Sequence, residues 1–156
     1  MTSTITAATL TVTITEEVSL NGKDQGAKNT YTIASVKEIS NRIVTIPSGS
    51  EVIVVAMGTA VAAGQYVEGT TKYIRLTNKD DANHLTLVFL NENSDEFAVK
   101  LDAGQTFIYN GDNTGGVVDT MDAAATALSV SFGDLVDITA QANTAACDLE
   151  IFVAGT

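Results

Sequence analysis

Apolar and polar residues alternate one by one in run after run of this chain. "TLTVTIT" (Thr9–Thr15) is the clearest case: Leu10, Val12 and Ile14 fall on one side of an extended backbone, and the threonines fall on the other. A period of two belongs to a strand with one buried face. The same reading covers "TYTIAS", and "NRIVTI", which Pro47 closes because it cannot donate to a ladder. The stretch from Tyr73 to Asn110 reads as four short strands. In it Ile74 and Leu76 alternate with Tyr73 and Arg75. Leu85, Leu87 and Phe89 alternate with His84, Thr86 and Val88, and Phe97, Val99 and Leu101 alternate with Glu96, Ala98 and Lys100. "NKDDAN", "NENSDE" and "DAGQ" between them supply turn chemistry. "LVDIT" and "DLEIFVAG" are two further strands, the last with Leu149, Ile151 and Val153 inward and Glu150 and Phe152 outward.

Other segments are less regular. "LNGKDQGAKN" predicts a hairpin or loop from its Asn-Gly pair. "SEVIVVAM" (Ser50–Met57) is apolar on both faces, as in a central strand or one beneath a subunit contact. "GTAVAAGQYVEGTT" reads as a loop with a short strand. "NGDNTGG" (Asn110–Gly116) reads as a loop, followed by a helical turn over Asp122–Ala127. Short strands at this spacing predict an all-β fold, an antiparallel two-sheet sandwich, with jelly-roll topology ahead of immunoglobulin-like topology. One such domain over residues 1–156, with a Thr-rich N-terminal arm at 1–8, accounts for the length. Phe97, Val99, Leu101, Leu85, Leu87 and Phe89 are the expected core. Val54 or Val55, Val88, Leu90 and Phe152 are apolar residues left for a second face. One sandwich has one core, so they are interface candidates and predict a homo-oligomer.

Charge narrows the partners. A formal net charge of −11 argues against nucleic acid, which needs Lys and Arg to displace counterions, and disfavours an anionic membrane surface. It suits a free subunit that must not stick nonspecifically. "MTSTITAATL" has no basic region and no long apolar run, so it does not read as a signal peptide. "VIVVAMGTAVAA" (Val52–Ala63) is too short to span a bilayer.

Reactive chemistry is sparse. Cys147 is the one cysteine and His84 the one histidine; a thiol before an apolar strand reads as a core residue, and no second histidine exists to build a zinc or copper site. Asp112 and Asn113 begin something like a calcium loop without the distal bidentate Glu, and "NKDDAN" is the other weak metal candidate. Both read more simply as solvated turns, so no metal or cofactor is expected. Glu16 and Glu17 are adjacent and point to opposite faces of a regular strand; Asp80 and Asp81 sit in a turn with little desolvation to shift a general acid. Tyr31, Tyr66, Tyr73 and Tyr109 could stack on sugar, but scattered tyrosines on β-sheets are more often core edge or subunit contact. No catalytic constellation emerges, and the chain reads as no enzyme.

"YIRLTNKDDANHLTLVFLNENSDEFAVKLDAGQTFIYN" resembles a stretch of the β-sandwich structural proteins of tailed-phage virions, through "IRLTN" and the pattern F-x-V-x-L-x-x-G-Q. The ending "DITAQANTAACDLEIFVAGT" and the Thr-rich opening strand are similar too. The resemblance implies a bacteriophage virion component made in the host cytoplasm. Its first choice is a capsid decoration (cement) protein on the capsid surface, partnered by the major capsid protein and forming a homotrimer at local three-fold positions. The alternative is a tail, fibre or adaptor subunit, including a glycan-binding receptor module. The family brings no catalytic residues.

Overall fold

The structure, a computed structural model, describes residues 4–110 and 132–156. Among them the regular elements are all strands, and the chain divides into two compact units, Met1–Lys37 with Thr156, and Glu38–Gly155. Asp112, Asn113 and the expected helical turn at Asp122–Ala127 lie outside the described residues.

The first unit is a ribbon. β1 (Ala8–Glu16) pairs antiparallel with β4 (Ala27–Val36), setting Leu10 opposite Ile33 and Val12 opposite Tyr31 on one face. The other face carries threonines, with the hydroxyls of Thr13 and Thr30 3.1 Å apart. Between them β2 (Ser19–Leu20) and β3 (Lys23–Asp24) make a small hairpin. Its turn is Asn21-Gly22, both at positive φ (52° and 75°), as the dipeptide predicted. Gly26 then lets the chain return: a Cβ there would stand 2.2 Å from the Glu16 carbonyl oxygen.

The second unit is the sandwich. Its strands are β5 (Glu38–Ile46), β6 (Val52–Gly58), β7 (Tyr66–Val67), β8 (Thr71–Asn78), β9 (Leu85–Asn91), β10 (Glu96–Leu101), β11 (Thr106–Asn110), β12 (Leu135–Ala142) and β13 (Cys147–Gly155). One sheet has the order β10-β9-β12-β6-β7 and the other β11-β8-β13-β5. All pairs are antiparallel except β6 with β7. Both sheets come from residues 38–155, so the sandwich is shorter than the expected 1–156, and the N-terminal run is strand from Ala8 onward.

The core follows the alternation. Leu85, Leu87 and Phe89 on β9 meet Ile74 and Leu76 on β8 and Leu149, Ile151 and Val153 on β13, all of them buried. Two expectations need correction. Phe97 faces the core side but is 36 % exposed, and Val99 is only partly buried, because β10 is the sheet's edge strand; Phe97 stacks on Phe89 at 4.7 Å between ring centroids. Val54 and Val55 are both buried, at 2 % and 0 %, and neither is available to a partner. The β12–β6 register slips between Ile138 and Thr139, and this bulge turns two successive valines inward.

Buried asparagines close two of the strands. Asn78, at the end of β8, donates from Nδ2 to the carbonyls of Asn83 (2.9 Å) and Leu101 (3.1 Å) and accepts from the Asp80 N–H (3.0 Å). Asn91, at the end of β9, accepts from the Asn93 and Asp95 N–H groups at 2.9 and 2.8 Å. Each amide replaces the hydrogen bonds that the turning backbone would otherwise lose on burial.

Candidate interaction face

Alternation puts every second residue of the five-stranded sheet on its outer face, and the register decides which of them become neighbours. Leu90 lies between Glu96 on β10 and Asp137 on β12. Val88 lies between Ala98 and Thr139, and Thr139 is opposite Ile53 on β6. Ile53 is 61 % exposed, while Val88 and Leu90 are half-buried. The result is an apolar patch drawn from β9 and β6, with Thr139 of β12 between Val88 and Ile53.

Carboxylates rim this patch. Glu51 accepts a hydrogen bond from the Thr139 hydroxyl, which fixes it beside Ile53. Burial pushes the Asp137 carboxyl above its ordinary range, and the negative charges of Glu51 and Glu96 push it the same way. Two shallow depressions of about 290 and 280 Å³ run along the face and share Glu51 and Val88. Hollows this small and open suit a flat contact with another macromolecule better than an enclosed small molecule. An aliphatic stem with a cationic head, as in Lys or Arg, matches the patch and its rim together.

Val88 and Leu90 thus share one face. Phe152 is on the outer face of the other sheet, where its own chain engages it: Tyr73 meets it edge-on at 5.8 Å, and the Arg75 guanidinium lies 5.8 Å from its ring centroid. Arg75 also pairs with Glu150 and holds that carboxyl below its usual range; Lys79 approaches Glu150 at 3.8 Å. Tyr66 and Tyr109 pack against the core while Tyr73, buried at 4 %, lies on the opposite face of its sheet, so these three do not form one stacking platform. Tyr31 belongs to the ribbon.

The remaining candidates have structural duties. Asp80 Oδ1 accepts from the N–H groups of Asn83 (2.6 Å) and, less strongly, Ala82 (2.8 Å), which hold its carboxyl below the usual range. It organises a turn, and Asp81 beside it is exposed. Among the described residues, no three His, Cys, Asp or Glu side chains come together to hold a metal ion. Cys147 is buried, its thiol pushed up by desolvation. The backbone carbonyl of His84 accepts from Asn143 N–H at 3.2 Å. Glu16 ends β1 and Glu17 follows it, both exposed.

Glu51, Glu96 and Asp137 line one depression without clustering, a feature that reading the chain in order missed. They are far apart in sequence, and only strand order joins them. No family model and no curated protein matches this chain.

Proposed function

We propose that this chain is a structural subunit of a tailed-phage virion, a decoration protein that binds the outer surface of the assembled capsid and stabilises the shell. The observation that carries the reading is the outer face of the five-stranded sheet, where an apolar patch of Val88, Leu90 and Ile53 is rimmed by Glu51, Glu96 and Asp137. The sequence resemblance of Tyr73–Asn110 to virion sandwich proteins supports the same reading.

The physical account needs no reaction. The partner is the major capsid protein, presenting Lys or Arg beside apolar surface. A modest contact suffices because it repeats over a lattice. A ligand that binds only the assembled shell stabilises it by mass action. Salt weakens the attachment by screening the carboxylate rim. The subunit is made in the host cytoplasm and ends on the capsid surface.

The test combines counting and charge reversal. Mass spectrometry of purified virions should find hundreds of copies per particle, while a dozen or fewer would place the subunit in the tail or portal region. Glu96→Lys should lose capsid binding with little change in its unfolding midpoint. Undiminished binding by that variant would move the contact off this face.

A further inference from the structure

β5 is the edge strand of the four-stranded sheet, and its outward side lacks the charges, prolines and bulges that usually protect an edge. It runs nine residues, Glu38–Ile46, in unbroken register with β13, and no strand among the described residues pairs with its other side. Natural edges are blunted by bulges, prolines, and charges set on the edge or pointing inward; on β5 the charged residues, Glu38 and Arg42, both occupy core-side positions. β5 has no bulge, and Pro47 falls just after its last residue. Its one basic residue, Arg42, is opposite Ile151 on the core side and donates from Nη2 to the Val54 carbonyl at 2.6 Å. That bond ties the guanidinium to the other sheet and takes it away from the edge. The outward set is Ile39, Asn41, Ile43 and Thr45; the two isoleucines are 60 % and 61 % exposed, and the Thr45 hydroxyl donates to Asp148 Oδ1 at 2.8 Å.

We propose that β5 pairs edge to edge, antiparallel, with β5 of a second copy, in the register that places Asn41 opposite its own counterpart. The occupant follows from self-complementarity. A two-fold axis normal to the sheet keeps each side chain on its own face, so outward residues must oppose outward residues. Centred on Asn41, the register sets Ile39 opposite the partner's Ile43, and Ile43 opposite the partner's Ile39. The two amides face each other and can exchange hydrogen bonds. On the core side Ser40 meets the partner's Arg42, so no like charges oppose. Centring on Arg42 would instead oppose two arginines of like charge and set Ile39 opposite the partner's Thr45 and Ile43 opposite the partner's Asn41, so the isoleucines would not meet. Centring on Ser40 would leave Ile39 opposite an asparagine and Ile43 opposite Lys37. The Asn41 register therefore covers both exposed isoleucines and extends the sheet of one copy into that of the other. It is a two-fold contact, unlike the three-fold one the family resemblance implies, and it does not depend on the capsid reading.

Sedimentation of the full chain at rising micromolar concentrations should show a dimer. Ile43→Lys puts a charge on the edge and should abolish the dimer while leaving the circular dichroism unchanged. Asn41→Cys should form a disulfide-linked dimer under mild oxidation, because the new thiols face each other; Cys147 is buried and should not compete. Ile43→Cys alone should cross-link poorly, since its neighbour is Ile39. A monomer or a trimer in the native chain would overturn the proposal. So would a dimer that survives Ile43→Lys, or equal cross-linking from Cys at positions 41 and 43.

Discussion

Phe89 is fully buried where β9 meets both the edge strand and the facing sheet. It stacks on Phe97 and lies 5.1 Å from the tilted ring of Phe107. Phe89→Ala should cost about 3–5 kcal/mol and Leu87→Ala about 2–5 kcal/mol, read from urea midpoints at fixed slope. Phe97→Ala should cost clearly less, because that ring already meets solvent on the edge strand. Equal losses at Phe89 and Phe97 would mean that β10 is covered.

Asp137 contributes a pH dependence at the outer face. Its folded pKa is raised, so the neutral carboxyl is favoured. Its contribution is fully present below the unfolded value and is lost as pH rises through the folded value. Asp137→Asn removes that loss, so the variant should gain stability relative to the native chain as pH is raised toward neutral. Glu150 runs the other way: its lowered pKa gives stability above the ordinary range that disappears as pH falls through the folded value. Paired pH titrations of unfolding for Asp137→Asn and Glu150→Gln should therefore slope in opposite senses relative to the native chain.

At the scale of elements, alternation in sequence told which side of a strand is apolar, and little else. It placed Leu85, Leu87 and Phe89 correctly, and it placed the Asn21-Gly22 turn through its need for positive φ. It went wrong at Val54 and Val55, because a bulge interrupts the period of two, and at Phe97, because alternation does not distinguish an edge strand from a central one. It could not show that β13 inserts between β5 and β8, or β12 between β9 and β6. Those pairings are long-range, and the candidate face exists only through them. The hydrophobic core cluster is drawn entirely from Ile46 to Val153. A chain of residues 38–156 should therefore fold cooperatively by itself. The isolated segment 1–37 should lack stable strand signal in circular dichroism, since a two-stranded ribbon is marginal in water. Loss of cooperative unfolding in the shorter chain would show that the core depends on the ribbon.

For the whole molecule, charge and surface work together. A net charge of −11 disfavours nonspecific association, and it also raises the value of any cationic partner that neutralises the rim of Glu51, Glu96 and Asp137. Raising salt should then release the protein from particles progressively, which a pelleting assay across a salt series would read. The same carboxylates would repel a second copy at that face, whereas β5 offers a second copy isoleucines and an amide. The two surfaces thus differ in chemistry: the sheet face is apolar with a carboxylate rim, and the outward side of β5 carries no charge. The most direct test of the shell role is thermal. Purified virions stripped of this protein and intact virions are heated in parallel while genome release is followed by dye fluorescence. The account predicts that stripped particles release at a lower temperature and that adding the purified protein back restores the higher one. Release at the same temperature with and without the protein would contradict it.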